Sequence, residues 1–537
     1  MKNRIMIFSL TLMTCFCLLN RPEPAFALEH SGTISADETW LAADNPHKIT
    51  ANLTVNDHIS LFLEPGVEVL FNGNFRIYVN GLIQAEGTSD AGIRFTRAPG
   101  VDRSQGIIIY SGAGGIFSYC LIEWAAYGVQ ASSSYLTAAN CTFRNNTYGI
   151  YASYLNPELS DNLFENNQYG LRIDNYYAPS AKEGAVPRVG TNNVFRENDV
   201  GIQFVDCLRP SVGATAQVYD NATYGVHFQN CAKPSVAADI TNSGTGIYYQ
   251  NCTDIQPLDT IALLDNNGIY GAVLAQQSGP VPISDDAVIA DNFAPLSIDA
   301  ASFPTAVSQV PTTGNFTDGI FVTSGTSQQD AVWYNLGIPF IVTGNMAVGA
   351  TGSLTIEPEV RVRLGNGAYL ASYGILNING VAGQEVRFEP HTANRWNTIA
   401  FYSGSSGTVT AASMQFASSG LYVDTSGPEV DGCRFLNNIH GYYGNNLADS
   451  FIHDSLFVGN DYGIRARSNS DPVIHQNCLD RNYSYGVSNE TADTLIDAEY
   501  NFWGDASGPR HTSNSTGLGD FVSDWVDFDP WLAACPL

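Results

Sequence analysis

Charge is scarce in this chain of 537 residues: 14% are Asp, Glu, Lys or Arg, with 24 basic against 52 acidic. Lysine is scarcest, and past residue 27 only Lys48, Lys182 and Lys233 remain. Nucleic acids and anionic membranes are recognised through basic patches, so this balance speaks against both as partners. Beyond the N-terminal segment no uninterrupted apolar run reaches the roughly 18 residues that read as a membrane span. No CxxC pair and no Cys/His cluster at zinc spacing occurs, so no metal ligands are assigned. What is plentiful is glycine (50 residues), asparagine and aromatics (11%), a composition suited to strands and turns.

The first 27 residues read as an export signal of bacterial type. Lys2 and Arg4 precede an apolar run from Ile5 to Leu19, and Ala25-Phe26-Ala27 is a small-x-small cleavage site. Cys15 and Cys17 lie within it, after residues that make no lipoprotein box, so the expected location is secreted or cell-surface. Cleavage removes Lys2, Arg4, Arg21 and Glu23, leaving 21 basic and 51 acidic residues and a formal charge of −30. Such a surface serves solubility outside the cell, or a cationic partner.

The fold is legible between Gly201 and Leu258. Gly201-Ile-Gln-Phe-Val-Asp-Cys207, Gly225-Val-His-Phe-Gln-Asn-Cys231 and Gly246-Ile-Tyr-Tyr-Gln-Asn-Cys252 repeat one pattern at spacings of 24 and 21 residues. These spacings belong to solenoids rather than hairpins. Alternation of period two after each glycine predicts strands with Ile202 and Phe204 inward and Gln203 and Val205 outward. Like stacked on like puts Cys207, Cys231 and Cys252 in one interior column. The fold class is therefore all-β, a parallel β-helix of about 22 residues per coil. Stacking about 22 coils at about 4.8 Å gives a length on the order of 100 Å. Of the other cysteines, Cys120 and Cys141 occupy matching places 21 residues apart, close enough for a disulfide or for a pair of buried thiols.

Shorter coils open the solenoid, with turn signals at Glu64-Pro65-Gly66, Asn72-Gly73 and Asn80-Gly81. Further on, a phenylalanine is followed by asparagine three residues later and glycine three after that: Phe143/Asn146/Gly149, Phe164/Asn167/Gly170, Phe195/Asn198/Gly201. The glycine suits a turn at positive φ, and the asparagine a stacked internal amide ladder or, alternatively, a ligand contact. The coil after Gly170 carries an excursion, Asn175 to Pro187, with Tyr176 and Tyr177, which reads as a surface binding loop or decoration.

After a less regular stretch at 276–320 the chain starts again. Trp333, Pro339, Glu357-Pro358, Val360, Val362, Gly374, Gly380 and Arg387-Phe388 repeat Trp40, Pro46, Glu64-Pro65, Val67, Val69, Gly81, Gly87 and Arg94-Phe95, each 293 residues on. Cys433, Phe435 and Gly441 repeat Cys141, Phe143 and Gly149 at 292. One slip among so many matches indicates internal duplication. The expected layout is a signal (1–27), a first copy with an N-terminal cap (28–320), a second copy (321–500) and a capping segment (501–537).

That tail, Asn501-Phe-Trp-Gly-Asp-Ala-Ser-Gly-Pro509, the glycine coil pattern and the Leu354-x-Ile-Glu-Pro358 opening followed by Val386-Arg-Phe388 resemble bacterial secreted right-handed parallel β-helix repeat proteins of the pectin-lyase-like superfamily. The resemblance spans nearly all the mature chain and implies a right-handed helix. It leaves activity open, because that superfamily holds pectate lyases, polygalacturonases, epimerases and adhesins. Of the polygalacturonase motifs, Asp285-Asp286 and His440-Gly441 are present but fall in different copies, and Gly441 is the repeat glycine. The Asn-Thr-Asp and Arg-Ile-Lys motifs are missing. No carboxylate pair at hydrolase spacing can be assembled, so no catalytic residue is assigned.

Two residues after each repeat glycine the side chain points outward. The first copy thus presents Tyr151, Arg172, Gln203, His227 and Tyr248 in a file. The second presents Tyr443, Arg465 and Ser488, with Arg467 and Glu490 two places further along their strands. Such a file is how a flat sheet could hold an elongated glycan, or it is an ordinary solvated face. The functional expectation is a monomeric, non-catalytic protein that binds a polysaccharide or cell-surface glycan. The alternative is a lyase or hydrolase acting on an acidic polysaccharide. Neither needs a cofactor, calcium being the one ion that Asp520, Asp524, Asp527 and Asp529 could take. Trp503, Trp525 and Trp531 are expected to plug the last coil.

Overall fold

The computed structural model describes residues 27–175, 186–257, 263–275, 280–283, 288–305 and 312–537. The expected export signal apart from Ala27, most of the excursion after Asn175, and Asp285-Asp286 lie outside these residues. Short strands alternate apolar and polar, as in Ser60–Leu63, Glu68–Phe71 and Arg76–Val79, where every second side chain is buried. That period of two commits each strand to one inward face. All the paired ladders are parallel, and they close a solenoid of about 19 turns with almost no helix. The turn number falls short of the sequence expectation because coils vary in length, one running 31 residues from Asn167 to Asn198.

In the first half each coil supplies up to three strands. A phenylalanine ladder stacks Phe143 on Phe164 on Phe195, with ring centroids 4.9 and 4.7 Å apart. A glycine ladder stacks Ile150, Leu171, Ile202, Val226 and Ile247. A third ladder carries Leu61, Ile83, Gly115 and Leu136. Together their inward side chains form one continuous apolar core.

The corner between the first two ladders is held by the asparagines. The N–H of Asn146 donates to Oδ1 of Asn167 at 2.9 Å, and that of Asn167 to Oδ1 of Asn198 at 3.0 Å. The Asn167 amide in turn donates to the Phe143 carbonyl at 2.9 Å. Buried backbone groups at a tight corner need such partners, which explains the recurrence. The glycine has a different cause from the one expected. Gly149, Gly170 and Gly201 are absent from the positive-φ residues; the left-handed positions are Asn145, Asn166 and Glu197, at 56°, 55° and 55°. What excludes a side chain is proximity: a Cβ at Gly170 would sit 2.6 Å from the Gly201 carbonyl oxygen.

The cysteine column forms as expected. Leu208 pairs with Ala232 and Ala232 with Thr253, which sets Cys207, Cys231 and Cys252 one above another, buried and unbonded. Cys120 and Cys141 are also free thiols, the Cys120 N–H donating to Cys141 Sγ at 3.4 Å. The disulfide lies elsewhere, between Cys478 and Cys535, and ties the final residues to the last coils. Of the three tail tryptophans Trp503 is wholly buried and Trp531 packs at the core edge, but Trp525 is 47% exposed and plugs nothing. Its backbone is left-handed, φ 61°.

The two halves form one continuous solenoid, and the second is turned relative to the first. Strand Ile320–Val322 pairs on one side with Leu296, Ser297 and Ile298 of strand Ala294–Ile298 in the glycine ladder. On its other side it pairs with Phe340–Val342, the equivalent of residues 47–49 in the phenylalanine ladder. The glycine ladder of the first half therefore runs into the phenylalanine ladder of the second.

Candidate ligand-binding face

Register places the expected file as drawn: Tyr151 opposite Arg172, then Gln203, His227 and Tyr248. The inward neighbours, Ile150, Leu171, Ile202, Val226 and Ile247, are fully buried and anchor the strands, so the outward positions are fixed by packing on the other face. The file is not uniformly exposed. Tyr151, Arg172 and Tyr248 are half-buried, whereas Gln203 and His227 are buried although they point outward. The rings of Tyr224 and Tyr248 flank His227 at 5.2 and 5.0 Å and account for its cover.

At one end of the file Asp174 gathers two neighbours. Arg172 donates Nε to Oδ1 at 2.9 Å and a second nitrogen to Oδ2 at 3.1 Å, while the Tyr151 hydroxyl donates to Oδ2 at 2.7 Å. Burial opposes the guanidinium charge, but Asp174 prevails and raises the Arg172 pKa. Burial, reinforced by the bond to Asp174, pushes the Tyr151 phenol well up. At the centre Gln203 Nε2 lies 3.0 Å from His227 Nδ1, and His227 Nε2 lies 3.1 Å from Gln250 Oε1. Burial, with Arg172 nearby, lowers His227 to about 4 despite the Gln250 bond, so the ring is neutral. Gln203 Oε1 is left as a buried acceptor without a partner.

A second file of rings runs beside it. Tyr127, Tyr148 and Tyr169 stack at centroid separations of 5.2 and 5.0 Å with nearly parallel planes, and Tyr224 stacks on Tyr248 at 4.8 Å. The sequence carries a signal for them that the two-after-glycine rule overlooks: tyrosine immediately before the repeat glycine recurs at 127, 148, 169, 224, 270, 462 and 485.

The second half builds a related face on its own glycine ladder, in the order Tyr422, Tyr443, Arg465, Ser488. Arg465 donates Nε to Glu490 at 2.9 Å and lies over the rings of Tyr443 and Tyr462 at 5.2 and 5.1 Å. Its other side meets His440 Nε2 at 3.1 Å; burial and then Arg465 lower His440 to about 4. Arg467, exposed, donates to the Tyr443 hydroxyl at 3.1 Å, and Ser488 is buried. The two faces do not join: the first file continues through Val273, Ser297, Phe321, Ile341 and Arg363 to Glu389, on a different ladder from Tyr443. Asp174, Gln250 and the tyrosines before the repeat glycines are members that the two-after-glycine rule missed, and His440 was met in the sequence only within a His-Gly dipeptide.

Two open recesses leave the first file untouched, and the second of them reaches Tyr485 beside the second face. One of about 750 Å³ is lined by Asn156, Glu158, Arg188 and Thr191 where the third ladder is interrupted, and another of about 520 Å³ by Arg510, His511 and Asp524 near the C-terminus. The tail acids have separate partners: Asp520 accepts from Asn482, and Asp524 lies 3.1 Å from His511.

The right-handed β-helix region family model matches residues 47–183, 82–227 and 373–498, together more than half of the chain. The chain belongs to this family, and the solenoid is right-handed. Among solved structures, that of the PL6 family alginate lyase AlyGC aligns at 8% identity over 87% of this chain and 100% of that one, with a TM-score of 0.21. An overlay so loose carries no argument about activity. No curated protein matches the chain. Among the described residues no helix is long and apolar enough to cross a membrane.

Proposed function

We propose that the protein is exported and binds an extended glycan without cleaving it, along the tyrosine face around Tyr148, Tyr151, Arg172 and Tyr248. The observation that carries this reading is the parallel-stacked file of Tyr127, Tyr148 and Tyr169 beside Tyr151 and Arg172, repeating at the coil spacing. The outer edges of the stacked rings offer sugars a continuous apolar strip, while tyrosine hydroxyls accept from or donate to sugar hydroxyls and guanidiniums donate to them.

The chemistry of the groups supports binding over catalysis. Proton abstraction needs a base whose pKa lies near the working pH. Arg172 is held cationic by Asp174, Tyr151 is held protonated, and both ring nitrogens of His227 are engaged. The same groups favour a neutral glycan over a polyanionic one, because Arg172 and Arg465 are already paired with Asp174 and Glu490 and the chain carries a formal charge of −28.

The test is an array of neutral and acidic polysaccharides probed with the mature protein, alongside assays for unsaturated products and new reducing ends. Binding to a neutral glycan that falls at least about tenfold in the Tyr151→Ala/Arg172→Ala double variant supports the reading, each aromatic contact being worth roughly 0.5–1.5 kcal/mol. Product formation from any polysaccharide overturns it in favour of a lyase or hydrolase.

A further inference from the structure

The third ladder of the second half gathers a set of side chains that neither tyrosine face uses. Strands Glu429–Asp431, Phe451–His453 and Val473–His475 pair in register, so Asp431, His453 and His475 form one outward file. Their inward neighbours Val430, Ile452 and Ile474 are fully buried and lock the file in place. Asp454, next in the chain at φ 48°, turns back so that its Oδ2 lies 2.8 Å from His453 Nδ1. Asp431 Oδ1 lies 3.5 Å from the same nitrogen. The three ligand atoms all fall within 4.8 Å of one another.

These separations suit a shared cation. Nitrogen and oxygen ligands bind zinc at about 2.1 Å, so adjacent ligands of a tetrahedral or octahedral shell stand about 3.0–3.4 Å apart. The observed 2.8 and 3.5 Å bracket that range. The imidazole is oriented beforehand: Phe451 stacks on it at 4.4 Å, and Glu429 Oε1 lies 3.3 Å from Nε2 on its far side, the outer partner that metal-bound histidines commonly have. Charge points the same way. Glu429, Asp431 and Asp454 have His453 as their only ion-pair partner among the described residues, so three carboxylates face one imidazole.

We propose that Asp431, His453 and Asp454 form a solvent-open site for a divalent transition-metal ion, zinc above all. A purely oxygen-liganded calcium site would have no use for the imidazole, whereas one nitrogen and two carboxylates suit zinc, cobalt or manganese.

The full mature chain, stripped with chelator, is titrated with zinc chloride by calorimetry and with cobalt chloride by visible absorption. The expected result is a site of one ion per chain with micromolar dissociation and a cobalt band. His453→Ala and, separately, Asp454→Asn should each weaken that site at least tenfold while leaving the circular dichroism spectrum unchanged. Zinc binding at unchanged affinity and stoichiometry in both variants overturns the proposal, as does the absence of zinc binding by the unaltered protein. Equal binding of calcium that ignores His453→Ala also overturns it. Glycan binding at the tyrosine faces is independent of this outcome.

Discussion

Gly170 and Asp174 show two ways in which single residues matter here. An added methyl at Gly170 meets a backbone carbonyl of the next coil at 2.6 Å, and backbone has no rotamer with which to retreat. Gly170→Ala should cost about 1–3 kcal/mol, the usual range for forced overpacking, read as a lowered denaturation midpoint. Asp174 is a matter of ligand choice. Asp174→Asn removes the charge that holds Arg172 and replaces one of the two oxygens that accept from Arg172 and Tyr151 with an NH2 donor. Neutral-glycan binding should fall severalfold while binding of acidic polysaccharides rises, checked on the same array. The repeat glycines and asparagines were legible in the sequence because one physical demand recurs in every coil. Asp174 was not, because it serves one site, and the contact of His440 with Arg465 was not either. The glycine was also misread: a recurring glycine announces that no side chain fits, and only the backbone angles tell a turn from a close approach.

At the scale of elements, the asparagine ladder of the second half ends on a different residue. Asn438, Asn460 and Asn482 pass a hydrogen bond from coil to coil, and Asn482 hands it to Asp520 Oδ2 at 3.1 Å. Burial raises the Asp520 carboxyl to about 6, against the pull of the Asn482 bonds. The folded state therefore holds its proton more tightly than the unfolded chain does. The group's contribution is fully present below about pH 4 and is lost as the pH rises through about 6, a change on the order of 3 kcal/mol. Thermal scans across pH 4–7.5 should show the C-terminal coils loosening over this window, and Asp520→Asn should flatten the dependence. The Cys478–Cys535 bond closes a separation of 57 residues around the same cap, worth about 4 kcal/mol on the chain-entropy view. Cys535→Ser should expose residues 501–537 to limited proteolysis before the rest of the solenoid. Neither device is written in a motif, since both partners meet only after the last coil closes.

For the whole molecule, the junction at Ile320–Val322 decides how the duplicated faces relate. Because that strand belongs to the glycine ladder below and the phenylalanine ladder above, Tyr151 and Tyr443 lie on different ladders. One straight glycan cannot follow both. Tyr151→Ala and Tyr443→Ala should then act independently, their free-energy effects on binding adding without a coupling energy, which a double-mutant cycle measures directly.

Periodicity by itself determined the solenoid, its inward and outward residues, the cysteine column and the duplication. In a parallel stack of coils, sequence spacing is spatial adjacency, so a pattern along the chain is already a pattern in space. Only the tertiary structure decided what interrupts that rule: the turn between the halves, the partners of Asp174 and Asp520, the disulfide, and the convergence of Asp431, His453 and Asp454. Each of these joins residues through a corner, a cap or an irregular coil, where distance along the chain no longer reports distance in the molecule.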